Sequence, residues 1–119
     1  MTDLLINKQQ ERVTVNWHHI CAEAEVRPDE PVATKIGDRH IAVYRLDDGE
    51  LSALDDVCPH EFAVLSKGFV EEGQIECPLH QARFDIRSGR CFGPLADRDL
   101  RKFSVKVEDG QVYVGVDGT

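Results

Sequence analysis

Four side chains with metal-ligating chemistry stand in two short loops of this 119-residue chain. The first loop is Cys58-Pro59-His60 and the second is Cys77-Pro78-Leu79-His80, with sixteen residues between His60 and Cys77. Each loop offers one thiolate and one imidazole. A thiolate is soft and anionic, whereas an imidazole is neutral when it ligates. Such a set can close a tetrahedral zinc site. It can also hold a [2Fe–2S] centre with both Cys on one iron and both His on the other.

The order of the ligands separates these two chemistries. Small zinc modules pair Cys with Cys in one short segment and His with His in another. Here each loop is mixed, Cys then His, twice. The expectation is one [2Fe–2S] cluster per chain, held by Cys58, His60, Cys77 and His80, with a zinc-stabilised interaction module as the alternative. Two neutral imidazoles leave their iron less negative, so an added electron settles there and the potential rises above that of a four-Cys cluster. Pro59 and Pro78 restrict the backbone beside each Cys. Turns of this kind leave main-chain N–H groups to face sulfur.

Something must hold two such loops side by side. From Val15 onward the chain breaks into short strand-like runs with turn signals between them, which predicts an all-β domain. Expected strands are His18–Val26, Val32–Ile36, Arg39–Leu46 and Glu50–Leu54, the last leading into the first loop. Phe69–Val70 and Gln74–Glu76 precede the second loop, and Arg83–Ile86 and Arg90–Phe92 follow it. Gly93-Pro94-Leu95-Ala96 reads as a third loop. Asp47-Asp48-Gly49 and Asp109-Gly110 are hairpin signals. Around Asp109-Gly110 the apolar positions Phe103, Val105, Val107 and Val112, Val114, Val116 alternate. A short turn is expected near Phe62–Ser66. Residues 1–14 are polar and read as an extension ahead of a single domain, 15–119.

Composition narrows the partners. The chain has 22 acidic against 14 basic residues, a net charge of −8. That disfavours nucleic acid and anionic membranes and suits a partner with a basic face. No run of ~18 apolar residues could span a membrane. The N-terminus lacks a basic start followed by an apolar stretch, so the expected compartment is the cytoplasm.

Cys21 and Cys91 read as buried thiols, Trp17 as a core anchor, and His18, His19 and His40 as ordinary histidines. Phe62, Leu65, Leu79 and Pro94 are expected to shield the site or form an apolar rim. Asp55-Asp56 and Glu71-Glu72 are expected to be solvated turn charges, able to orient a basic partner.

Cys58-Pro59-His60 together with Cys77-Pro78-Leu79-His80-Gln81-Ala82-Arg83-Phe84-Asp85 resembles the Rieske-type ferredoxins of bacterial aromatic-ring dioxygenase systems. The resemblance runs from about Trp17 to Val116. It implies a Rieske fold: an antiparallel β sandwich or barrel base carrying a small cluster-binding β subdomain, about residues 55–95. It implies an electron-transfer component rather than an enzyme, working between a flavin-dependent ferredoxin reductase and a terminal Rieske non-haem iron oxygenase. Gly93-Pro94 would cover the cluster. A small Rieske subunit of a nitrite-reductase system is the neighbouring alternative.

Rieske proteins of quinol-oxidising complexes carry a further Cys in each loop, where Ala63 and Leu79 stand here. Their Ser and Tyr hydroxyl donors are replaced by Ala82 and Phe84. The expected potential therefore lies near the low end of the roughly −150 to +300 mV Rieske range. Oxygenase subunits need a second domain for a mononuclear iron, and about thirty-nine residues after His80 leave no room for one.

Overall fold

The computed structural model describes residues 15–58, 63–79, 82–92 and 98–117. Among the described residues ten strands form two antiparallel sheets, and the only helical elements are two 3₁₀ turns. β1 (Val15–Ala22), β10 (Gln111–Asp117), β9 (Lys102–Glu108), β4 (Leu51–Asp55), β3 (Arg39–Arg45) and β2 (Val32–Ile36) make a six-stranded sheet in that spatial order. This sheet is nearly closed and barrel-like. β5 (Phe69–Glu71), β6 (Gln74–Glu76), β7 (Arg83–Asp85) and β8 (Cys91–Phe92) make a smaller sheet of sequential neighbours. The all-β expectation holds, and most strands fall within a residue or two of their expected limits.

The first strand is the exception. It runs Val15–Ala22 and gives way to a 3₁₀ turn at Glu23–Glu25. Its register on β10 shifts between His19 and Cys21, which re-aims the side chains that follow. Trp17 is 41% exposed, not a core anchor. It lies opposite Gly115, whose missing side chain leaves space for the indole, and Lys106 Nζ sits 4.4 Å from its ring centroid.

β3 explains the division of the interior. Ile41 and Val43 point into one apolar core with Cys21, Ala53, Phe103, Val112 and Val114. Ala42, Tyr44 and Leu46 point the other way, into a second core with Leu54, Leu65, Ile75, Phe84 and Ile86. Strict period-two alternation thus serves two cores. Burying each large side chain contributes roughly 1.5–3 kcal/mol before entropy is counted. The second core joins the small sheet to the base.

Polar tethers reinforce that junction at the turn after β7. Ser52 Oγ donates to the Ile86 carbonyl at 2.7 Å and Lys102 Nζ to the Arg87 carbonyl at 2.6 Å. Arg87 pairs with Asp48 at 2.8 Å, and Leu100 N–H donates to the Gly89 carbonyl at 2.8 Å. The β9–β10 hairpin turns through Asp109 and Gly110, both with positive φ, the conformation that an Asp-Gly pair supplies at little strain.

Candidate metal centre

Both cysteines of the expected ligand set occupy equivalent places. Cys58 N–H donates to the Ala63 carbonyl at 2.9 Å, and Cys77 N–H donates to the Ala82 carbonyl at 2.8 Å. Each bond closes a hairpin whose tip is four residues long, 59–62 in one case and 78–81 in the other. His60 and His80 fall within those tips, outside the described residues, as do Phe62 and the third loop at 93–97. Cys58 and Cys77 are each 1% exposed and belong to the same apolar core. Ala63 and Ala82, the expected counterparts of other proteins' extra Cys and Ser, are buried beside them.

The elements below set the two hairpins. The first continues from β4: Val57 and Val64 form an isolated antiparallel bridge, and Asp56 faces the 3₁₀ turn Leu65–Lys67. The second sits on β6 and β7, whose register places Glu76 opposite Arg83 immediately below the Cys77–Ala82 rung. Gly68 brings the hairpins together. A side chain there would run into the Glu76 carbonyl oxygen, one residue before Cys77. Only a glycine lets the exit of the first hairpin approach the base of the second so closely.

Several surrounding residues differ from expectation. Asp56 is not a solvated turn charge: it is 2% exposed, and its carboxylate accepts hydrogen bonds from Ser66 N–H and Oγ–H at 2.6 and 2.7 Å. Burial pushes its carboxyl above the usual range, while the Ser66 bonds and the His40 charge pull it back. Burial likewise raises Asp55, against a hydrogen bond from Arg101 and the charges of Arg39 and Arg101. Leu65 is fully buried core rather than rim, whereas Leu79 is exposed at 66%. Glu71 and Glu72 are exposed turn charges as expected. Cys21 is buried, and Cys91 is only half-buried.

Sequence reasoning missed Asp56, Ser66, Gly68 and the two alanine carbonyls. Asp56 and Ser66 flank the first loop as a short polar pair, but no spacing rule marks such a pair as buried. Phe84, where the resemblance expects a missing hydroxyl, is fully buried against this core.

The donor set fits a mixed-ligand cluster. Two thiols lie dry at the bases of matched hairpins, while Pro78 and Leu79 are exposed. Two thiolates, joined by two neutral imidazoles, are the donor chemistry such a centre requires. Among the described residues no three ligand-type side chains converge, since both histidines of the set lie outside them.

Comparison with known proteins agrees. The family described as Rieske [2Fe-2S] domain matches residues 16–104. The anthranilate 1,2-dioxygenase ferredoxin subunit of Burkholderia cepacia is 44% identical over 108 residues, 89% of this chain and 97% of that protein. The Sphingomonas yanoikuyae B1 ferredoxin superposes with a TM-score of 0.79 at 33% identity, covering 87% of this chain and 100% of its own. A chain from the complex of reduced oxygenase and oxidized ferredoxin in carbazole 1,9a-dioxygenase gives 0.75 at 33%, covering 82% and 99%. A nitrite reductase small subunit from Mycobacterium tuberculosis, at 24% identity, shares the fold alone. This chain belongs to the Rieske [2Fe–2S] family, among the ferredoxin components of aromatic-dioxygenase systems rather than their catalytic subunits.

Proposed function

We propose that this protein carries single electrons from a flavin-dependent ferredoxin reductase to the terminal Rieske non-haem iron oxygenase of an aromatic-compound dioxygenase system in the cytoplasm. Cys58, His60, Cys77 and His80 hold its one [2Fe–2S] cluster. Residues 55–95 act as the cluster-binding subdomain of a domain spanning 15–119, with residues 1–14 an extension outside it. The observation that carries this reading is the pair of matched hairpins, each closed by a Cys N–H to Ala carbonyl bond within one buried core.

When bound, the cluster supplies one-electron chemistry at a potential set by its mixed ligands. The chain's residues do the rest. The two main-chain bonds fix each Cys at the base of its hairpin. The surrounding Leu65, Ile75, Phe84 and Ala82 exclude water from the thiolates. The exposed Leu79 offers a partner an apolar contact two residues from Cys77. Exposed Glu71 and Glu72 add to an acidic surface that steers a basic partner. Redox encounters use small interfaces, so binding is weak and falls with added salt. No helix among the described residues is long and apolar enough to cross a membrane.

The test has two arms. His60→Ala and His80→Ala each lose the visible and reduced EPR spectra of the centre; a full spectrum in either variant refutes the ligand set. The wild-type protein restores aromatic oxidation to a reductase and oxygenase pair. Restoration of nitrite reduction instead would overturn the assignment of partners.

A further inference from the structure

Given the ligand set proposed above, we infer that Asp56 is a positioning residue whose buried carboxylate locks the hairpin presenting Cys58. The geometry is unusually complete for one side chain outside the ligands. Its two carboxylate bonds reach Ser66 N–H and Oγ–H. Its own N–H donates to the His40 carbonyl at 2.8 Å, and its carbonyl accepts from Leu65 N–H at 2.8 Å. One residue therefore ties both arms of the first hairpin to each other and to β3. Above it come the Val57–Val64 bridge and the Cys58–Ala63 rung.

This corner is dry. Asp56 is 2% exposed and Leu65 is fully buried. No lysine or arginine among the described residues forms an ion pair with the carboxylate. The nearby Tyr44 hydroxyl is buried with no hydrogen-bond partner among the described residues, and burial together with the Asp56 charge keeps it protonated. Low local dielectric strengthens the bonds that are made and penalises those that are lost. A packed apolar pair would fill such a corner at less desolvation cost. What the carboxylate adds is a fixed register between residues 56 and 66, and hence a fixed place for Cys58.

Among the described residues the second hairpin has no equal. At the place of Asp56 and Leu65 stand Ile75 and Phe84, both apolar, and the neighbouring pair, Glu76 and Arg83 at 3.0 Å, leaves the Arg83 side chain 54% exposed. Solvated pairs of this kind hold little. The two halves of the ligand set are thus locked unequally, and the first depends on Asp56.

The test uses the cluster-loaded protein with Asp56→Asn, Ser66→Ala, the double variant, and Glu76→Gln. Two quantities are read: the g-values of the reduced EPR signal, and the rate of cluster loss to an excess of iron chelator. Asp56→Asn and Ser66→Ala are expected to shift the g-values and to speed loss about tenfold, the scale of a lost hydrogen bond to a charged group. The double variant should fall short of the sum of the two single effects, because both act on the one Asp56–Ser66 contact. Glu76→Gln should leave both readouts within about twofold of wild type. A merely destabilising substitution would lower cluster content without moving the g-values. Should Asp56→Asn not fold, Ser66→Ala decides, since it removes one hydroxyl and keeps the main-chain bond. Wild-type g-values and loss rates in both first-hairpin variants would overturn the lock. His60→Ala and Cys77→Ser run beside them: if these keep the signal, the ligand set is wrong. If these lose the signal while the Asp56 and Ser66 variants match wild type, only the lock is wrong.

Discussion

Replacing Gly68 by alanine adds one methyl group at the point where the two hairpins meet. The backbone there is ordinary, φ −85° and ψ −153°, so the change carries no conformational strain of its own. The obstacle is space. The new Cβ would lie well inside contact distance of the Glu76 carbonyl oxygen, and 3.1 Å from both the Glu76 carbonyl carbon and the Leu65 oxygen. Backbone, not a flexible side-chain end, has to give way. Glu76 pairs with Phe69 and Arg83 and precedes Cys77, so moving its carbonyl disturbs β6 and the second hairpin together. Overpacking of this kind costs typically ~1–3 kcal/mol, and a disturbed sheet bond adds about 1 kcal/mol. Restricting the unfolded chain returns roughly 0.4–1 kcal/mol. The net loss is about 1–3.5 kcal/mol, or roughly 4–14 °C in melting temperature at about 4 °C per kcal/mol for a chain of this size. Gly73→Ala is the control. Gly73 has φ +76° and nothing within 4 Å of the added methyl. Its cost is backbone strain of about 1–2 kcal/mol, partly offset by the same unfolded-state gain. Differential scanning calorimetry of both variants measures the comparison. If Gly68→Ala melts no lower than Gly73→Ala, the close approach does not carry the weight assigned to it.

Three other outcomes are expected. Ala82→Ser and Phe84→Tyr place hydroxyls at fully buried positions beside Cys77; each should raise the midpoint potential by about 40 mV, one net hydrogen bond on a one-electron couple, and protein-film voltammetry showing no rise would refute it. Removing the cluster should loosen the core that contains Cys58 and Cys77 and spare the one between the base strands, so amides of β5–β7 should lose hydrogen-exchange protection while those of β9 and β10 keep theirs. Burial, with Glu25 adding to it, raises the Cys21 thiol, so ionisation favours the unfolded chain. That contribution to stability is present below the ordinary thiol range and declines as pH rises through it. Cys21 should resist alkylation at pH 8 until the protein is denatured, and rapid labelling of the folded protein would contradict its burial.

The sequence made the strands legible because alternation is a local property. It was clearest in β9 and β10, where valines repeat on either side of Asp109-Gly110. It misled at β1, where a register shift and an exposed Trp17 answer to β10 across the sheet. Cys58 and Cys77 stood out from spacing as candidate ligands, and the structure puts both at the bases of matched hairpins. What spacing did not reveal was the support beneath them. Asp55 and Asp56 look alike as adjacent acids, yet Asp56 is sealed in and Asp55 only half-covered. That difference arises when residues 65 and 66 fold back onto Asp56, a tertiary event without a local signal. Leu65 and Leu79 are also alike in type, and only the path of the chain makes one core and the other surface.

The connectivity of the two sheets has a consequence for the order of folding. Strands β5 to β8 pair with their immediate neighbours in sequence, so each contact closes a short loop. The six-stranded sheet closes on β1 and β10, where Val15 lies opposite Asp117 at the far end of the chain. Loop-closure entropy makes that pairing the most demanding in the molecule and sequence-local hairpins the least. The hairpin on β6 and β7, and the one that follows β4, can therefore take shape while the base is still open. On a growing chain, Cys58 and Cys77 can be in register before the last strand has been made.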